Sequence, residues 1–143
     1  MNHLRLAIRA LLKPAPYPEP DRLALLGYTF SGASAPLVET NLTVWNDQAT
    51  AWQDIAAFRA RDVNLSDGGR AEQALALQTS ASFFAVFDAR PALGRTFTPA
   101  EDQPGGDRVV VLSDGFWKRR FGSDPRIIGS QLRIDGSSAT VVG

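Results

Sequence analysis

Arg108-Val-Val-Val-Leu-Ser-Asp-Gly-Phe-Trp-Lys-Arg-Arg-Phe-Gly122 is the stretch whose reading decides the fold. Val109 to Leu112, an unbroken apolar run, predicts a short buried strand. Ser113 follows as a helix N-cap, and Asp114 lies in the first turn, where a negative charge suits the helix dipole. Phe116, Trp117 and Phe121 supply an apolar side. Lys118, Arg119 and Arg120 fall in the last turn, where positive charge is favoured, and Gly122 suits a left-handed stop. Strand, cap, helix and stop agree with one another. Within the larger block Pro91 to Gly143 they predict an α+β domain, with short helices packed on an antiparallel or mixed sheet. Nothing in these residues is chemistry.

A chain of 143 residues is long enough for one domain with a real core, and 44% hydrophobic with 21% charged residues is ordinary globular usage. Fifteen basic residues balance fifteen acidic ones. That balance gives no support for a nucleic-acid partner, which normally needs a basic face, nor for a polybasic lipid anchor. With no cysteine, disulfides, thiolate nucleophiles and cysteine-based metal sites are excluded. The one histidine, His3, stands in a terminal segment expected to be loosely held, so a multi-histidine metal centre is impossible.

Met1 to Lys13 mixes Leu4, Leu6, Ile8, Leu11 and Leu12 with Arg5 and Arg9. A membrane span needs roughly 20 mostly apolar residues, so this run is too short and too charged to cross. It also lacks the unbroken apolar core and small-residue cleavage site of a signal peptide. A short amphipathic helix, ended by Pro14, Pro16, Pro18 and Pro20, is the expectation. Residues 1–20 thus form a helix and proline-rich connector, and 21–143 the domain proper.

Within that domain, Arg22 to Phe30 alternates as a strand, and Ser31 to Pro36 reads as a small-residue loop. Thr40 or Asn41 caps an expected helix carrying Leu42, Trp45 and Ala49. Trp45 and Trp52 are better explained by packing at helical spacing than by ligand stacking. The acceptor-like triplet Asn41-Leu-Thr43 is better explained as part of a helix cap than as a glycosylation site. Ile55 to Leu65 and Glu72 to Thr79 flank Asp67-Gly68-Gly69 and predict a hairpin. Leu75, Leu77 and Thr79 share one face of the returning strand, with Glu72, Ala74, Ala76 and Gln78 on the other. Ser80 or Ser82 is expected to cap a short helix with Phe83, Phe84, Val86 and Phe87.

Thr98-Pro99-Ala100-Glu101 has the form of a capping box. Glu101 and Asp102 have no partner acid or histidine at useful spacing, so capping outweighs an acid/base pair or metal ligation. Asp124-Pro125 turns the chain. Gln131 to Asp135 and Ala139 to Val142 form a last hairpin around Asp135-Gly136. Pro104-Gly105-Gly106 lacks the following Lys-Ser/Thr of a phosphate-binding loop. A nucleophile elbow and a dinucleotide fingerprint are absent, and Lys118-Arg119-Arg120 reads as a solvated helix end. No residue is a candidate for catalysis, cofactor binding or metal ligation, and no cofactor is expected.

The order of these pieces resembles the periplasmic core domain of the MacB-like, FtsX-like permeases of ABC transporters. Tyr17-Pro-Glu-Pro-Asp-Arg-Leu23 is similar to the family's opening motif, and Leu42-Thr-Val-Trp-Asn-Asp-Gln48 with Trp52 and Ile55-Ala-Ala-Phe58 to its next segment. Ser82-Phe-Phe84, Arg90-Pro-Ala-Leu-Gly-Arg-Thr-Phe97 and Glu101-Asp102 follow. Arg108 to Ser113, Trp117, Arg120-Phe-Gly122, Asp124-Pro125, Ile128-Gly129, Leu132, Asp135-Gly136 and Val141-Val-Gly143 complete the likeness, which covers roughly residues 11 to 143. Near Asp88 the family usually has glycine, at a position suited to the left-handed conformation. The membrane helix expected before Tyr17 and the segments expected after Gly143 are not in this sequence, so the chain is expected to be a fragment of the domain.

The resemblance implies a non-catalytic domain at the periplasmic face of the bacterial inner membrane, which couples ATP-driven movement of membrane helices to export or envelope work. Its partners would be the remaining permease segments, an ATP-binding subunit or domain, and a periplasmic adaptor. A second reading is a free-standing module binding a small apolar ligand or peptide through Trp45, Trp52 and the phenylalanines. A third, a hydrolase using Asp54, Asp62 or Asp67, lacks a second catalytic group beside any of them. As a fragment, the chain is expected to be marginally stable or to self-associate, its last hairpin lacking neighbours.

Overall fold

The structure of the protein is a computed structural model that describes residues 22–23, 53–66 and 71–143, and the backbone alone at 28–30 and 33–35. The expected N-terminal helix, the proline connector, the helix carrying Trp45, and His3, Trp52 and Asp67-Gly68-Gly69 lie outside the described residues. The chain forms two compact units, Met1–Ile55 and Ala56–Gly143.

In the first unit, β1 (Tyr28–Phe30) pairs antiparallel with β2 (Ala33–Ala35), in the register Phe30↔Ala33. The loop expected over Ser31 to Pro36 is therefore corrected: three of its residues are a strand. Alanine and serine have little strand propensity of their own, so the backbone ladder decides here. Arg22 donates to the Gln53 side chain at 3.0 Å.

The second unit is built on a five-stranded mixed sheet. Its strands are β3 (Phe58–Ser66), β4 (Ala71–Thr79), β5 (Val109–Val110), β6 (Gln131–Ile134) and β7 (Ser137–Val141), in the order β4-β3-β6-β7-β5. All neighbours are antiparallel except β5 and β7. The expected β3–β4 hairpin forms, in a register running from Phe58↔Thr79 to Ser66↔Ala71, with the strand starting at Phe58 and not Ile55. β6 meets β3 only at Leu65 and Ser66, so the far end of the hairpin projects past the rest of the sheet.

The last hairpin does not lack neighbours, contrary to expectation. The chain leaves β5, forms α2 (Asp114–Phe121) and a 3-10 turn (Pro125–Ile127), and returns as β6 beside β3. β7 then fills the place between β6 and β5. Leu132, Ala139, Val141 and Val142 are buried there, with Val63 and Leu65 of β3. Adjacent residues of a strand face opposite ways, so burial of both Val141 and Val142 means that both sides of the sheet are covered at this end. Val109 to Leu112 is half-buried, not buried. Its parallel ladder nevertheless reaches Leu112, through Val142 N–H to Val110 O and Leu112 N–H to Gly143 O, both 2.9 Å.

The helix signals hold residue by residue. Ser113 Oγ accepts from Phe116 N–H at 3.4 Å, and Lys118 reaches Asp114 at 2.9 Å across one turn. Gly122 stops the helix at φ +59, its N–H directed at the carbonyls of Lys118 and Trp117. α1 (Phe83–Val86) begins after Ser82, whose side chain makes no capping bond; Phe83 N–H donates instead to Ser80 O at 3.1 Å. Phe83 packs against Phe58, Phe84 and Phe87 with ring centroids 4.9–5.9 Å apart, and Phe84 meets Phe97 at 5.5 Å. Asp88 follows at φ +47, a left-handed residue where glycine would be unstrained.

Candidate functional site

The charged residues that hold the second unit together sit mainly at its turns and helix ends, and several of them tie one element to another. Thr98 to Glu101 forms a turn and not the helix that its capping-box pattern predicts. The box's return bond is nonetheless made: Glu101 Oε2 accepts from Thr98 N–H at 2.7 Å. The same carboxylate takes a two-pronged contact from Arg95, at 2.6 and 3.0 Å, and its side chain is only 10% exposed. The Arg95 hydrogen bonds and then the Thr98 N–H lower the Glu101 carboxyl from its ordinary 4.5 to about 2. A turn closed by an arginine fork replaces a helix start because the following Gln103-Pro104-Gly105-Gly106 cannot continue one.

Asp102, the neighbouring acid, turns elsewhere and accepts from Ala81 N–H at 3.0 Å. Glu101 and Asp102 therefore close separate loops and do not converge as a pair. Asp135, at φ +50 in the β6–β7 turn, accepts from Asn64 N–H at 2.8 Å and pairs with Arg61. The Asn64 N–H first, and Arg61 with it, hold the Asp135 carboxyl below the usual range. The turn is thereby pinned to β3. Asp124 accepts from the side chain and the N–H of Arg126, which likewise lower its carboxyl. Its carbonyl receives Trp117 Nε1–H at 2.9 Å, which fixes Trp117 as a packing anchor.

The basic triplet of α2 is more than a solvated helix end. Lys118 and Arg119 are well exposed, but the Arg120 side chain is only 7% exposed. Arg119 and Arg120 each reach one oxygen of Glu72 at 2.7 Å, and their guanidinium groups lie 5.3 and 6.0 Å from the Phe116 and Phe121 rings. Together they clamp α2 to β4 across nearly fifty residues of sequence. No local pattern announces that contact, and only an exposed-looking Glu72 on the alanine face of β4 hints at it.

Of the residues weighed for chemistry, Asp54 and Asp62 are exposed, while Trp45, Trp52, Asp67 and His3 lie outside the described residues. Among the described residues, no three acidic or histidine side chains come together as a metal site would require. Likewise, no helix among them is long and apolar enough to cross a membrane.

These features define an α+β domain in which Arg61–Asp135 and the Glu72 pairs fasten a turn and a helix to a mixed sheet. The chain belongs to the family of MacB-like periplasmic core domains, whose profile matches residues 13–143. The resemblance and the α+β class read from the sequence both hold. This is a periplasmic domain of the ABC transporter permease type. No curated protein matches the sequence. Among solved structures, the chain is similar to the crystal structure of the periplasmic region of MacB from Actinobacillus actinomycetemcomitans, at 17% identity with a TM-score of 0.65. The match covers 76% of this chain and 50% of that one, so the chain spans about half the length of its structural relative. At that identity the likeness concerns the fold.

Proposed function

We propose that this chain is the non-catalytic, force-transmitting periplasmic part of an ABC transporter permease. The observation that carries the reading is the family match over residues 13–143. In this role the domain takes movement from the membrane helices of the remaining permease segments, which an ATP-binding subunit or domain drives. It delivers that movement to export or envelope work, through contact with a periplasmic adaptor. A domain that transmits force needs elements that move as one body. The Glu72 clamp and the Asp135 pin support the reading because each joins parts of the second unit that would otherwise shift separately, and the Arg95–Glu101 fork stiffens the loop that precedes β5.

Location gives the first test. In spheroplasts of a cell expressing the native gene, an added protease should reach the protein without rupture of the inner membrane. Protection until the membrane is broken would overturn the periplasmic placement. A ligand panel followed by tryptophan fluorescence provides the contrast: saturable binding of one small apolar compound or peptide would favour a binding module over a coupling domain.

A further inference from the structure

We draw no further inference here: the strongest candidate, the outward apolar face of the β3–β4 hairpin bearing Phe58, Leu75 and Leu77, is 50–74% exposed at those residues, but nothing in the structure shows what covers it.

Discussion

Replacing Glu101 by glutamine removes one charge and leaves the shape, so it isolates what the Arg95 fork contributes. Glutamine keeps one oxygen for Thr98 N–H but turns an amide NH2 toward the Arg95 donors. Hydrogen bonds to charged groups contribute about 1.5–3 kcal/mol, whereas exposed ion pairs contribute about 0–1 kcal/mol. Glu101 is enclosed and Arg95 is half exposed, so the fork falls between, at about 1–2 kcal/mol. For a chain of this length that corresponds to a fall of about 3–7 °C in the melting temperature at pH 7. The pH dependence follows from the direction of the shift. A carboxyl lowered to about 2 in the folded state stabilises fully above its ordinary 4.5, and loses that contribution as pH falls toward 2. The gap between wild type and Glu101→Gln in urea unfolding should therefore be full at pH 7 and at pH 5.5, then narrow from pH 4.5 downward. Asp124 and Asp135 titrate low in both proteins, so they cancel in the difference. No gap at pH 7, or a gap that stays constant down to pH 2.5, would refute the reasoning.

Other substitutions probe the frame. Gly94 has φ +70, and a Cβ there would lie 2.0 Å from Val142 O, so Gly94→Ala should cost about 3 kcal/mol or more in chemical denaturation. Val141 is fully buried and Leu75 is 74% exposed. Val141→Ala should cost about 2–3 kcal/mol and Leu75→Ala less than about 0.5 kcal/mol, an order that reverses if the hairpin's leucine face is inside. At Asp88, glycine should be neutral or stabilising by up to about 1 kcal/mol, because relief of the φ +47 strain offsets the added freedom of the unfolded chain. Valine at the same position should cost about 1–2 kcal/mol, and equal melting temperatures for the two variants would contradict the left-handed geometry.

What the sequence made legible was whatever neighbouring residues decide among themselves. Ser113, Asp114 and Gly122 settle the limits of α2 through bonds within four or five residues, and the structure contains each bond. The β3–β4 and β6–β7 hairpins follow from alternation and turn residues, although β7 begins at Ser137, two residues before the expected Ala139. The long-range choices were hidden. Nothing local says that β7 slots between β6 and β5, because any apolar strand end satisfies the same pattern. Arg120 looked solvated because its partner, Glu72, lies far away in sequence. The Thr98 pattern specifies a hydrogen bond, and the bond formed without the helix, since capping residues close turns as readily as they start helices. At β2 the residues were too small to signal a strand, and only the ladder with β1 reveals one. No site could be read from residues at all; the family was legible from the order and spacing of short blocks such as Arg108 to Ser113 and Asp135-Gly136 within residues 13–143.

The central claim is that this domain belongs to an ATP-driven permease assembly, and co-isolation tests it most directly. The protein, tagged at its native locus, is purified from gently solubilised membranes and its companions are identified by mass spectrometry. The account predicts an ATP-binding subunit or domain recovered in near-equal amount from the membrane fraction. Recovery of the chain alone from the soluble fraction, with no ATP-binding partner, would contradict it.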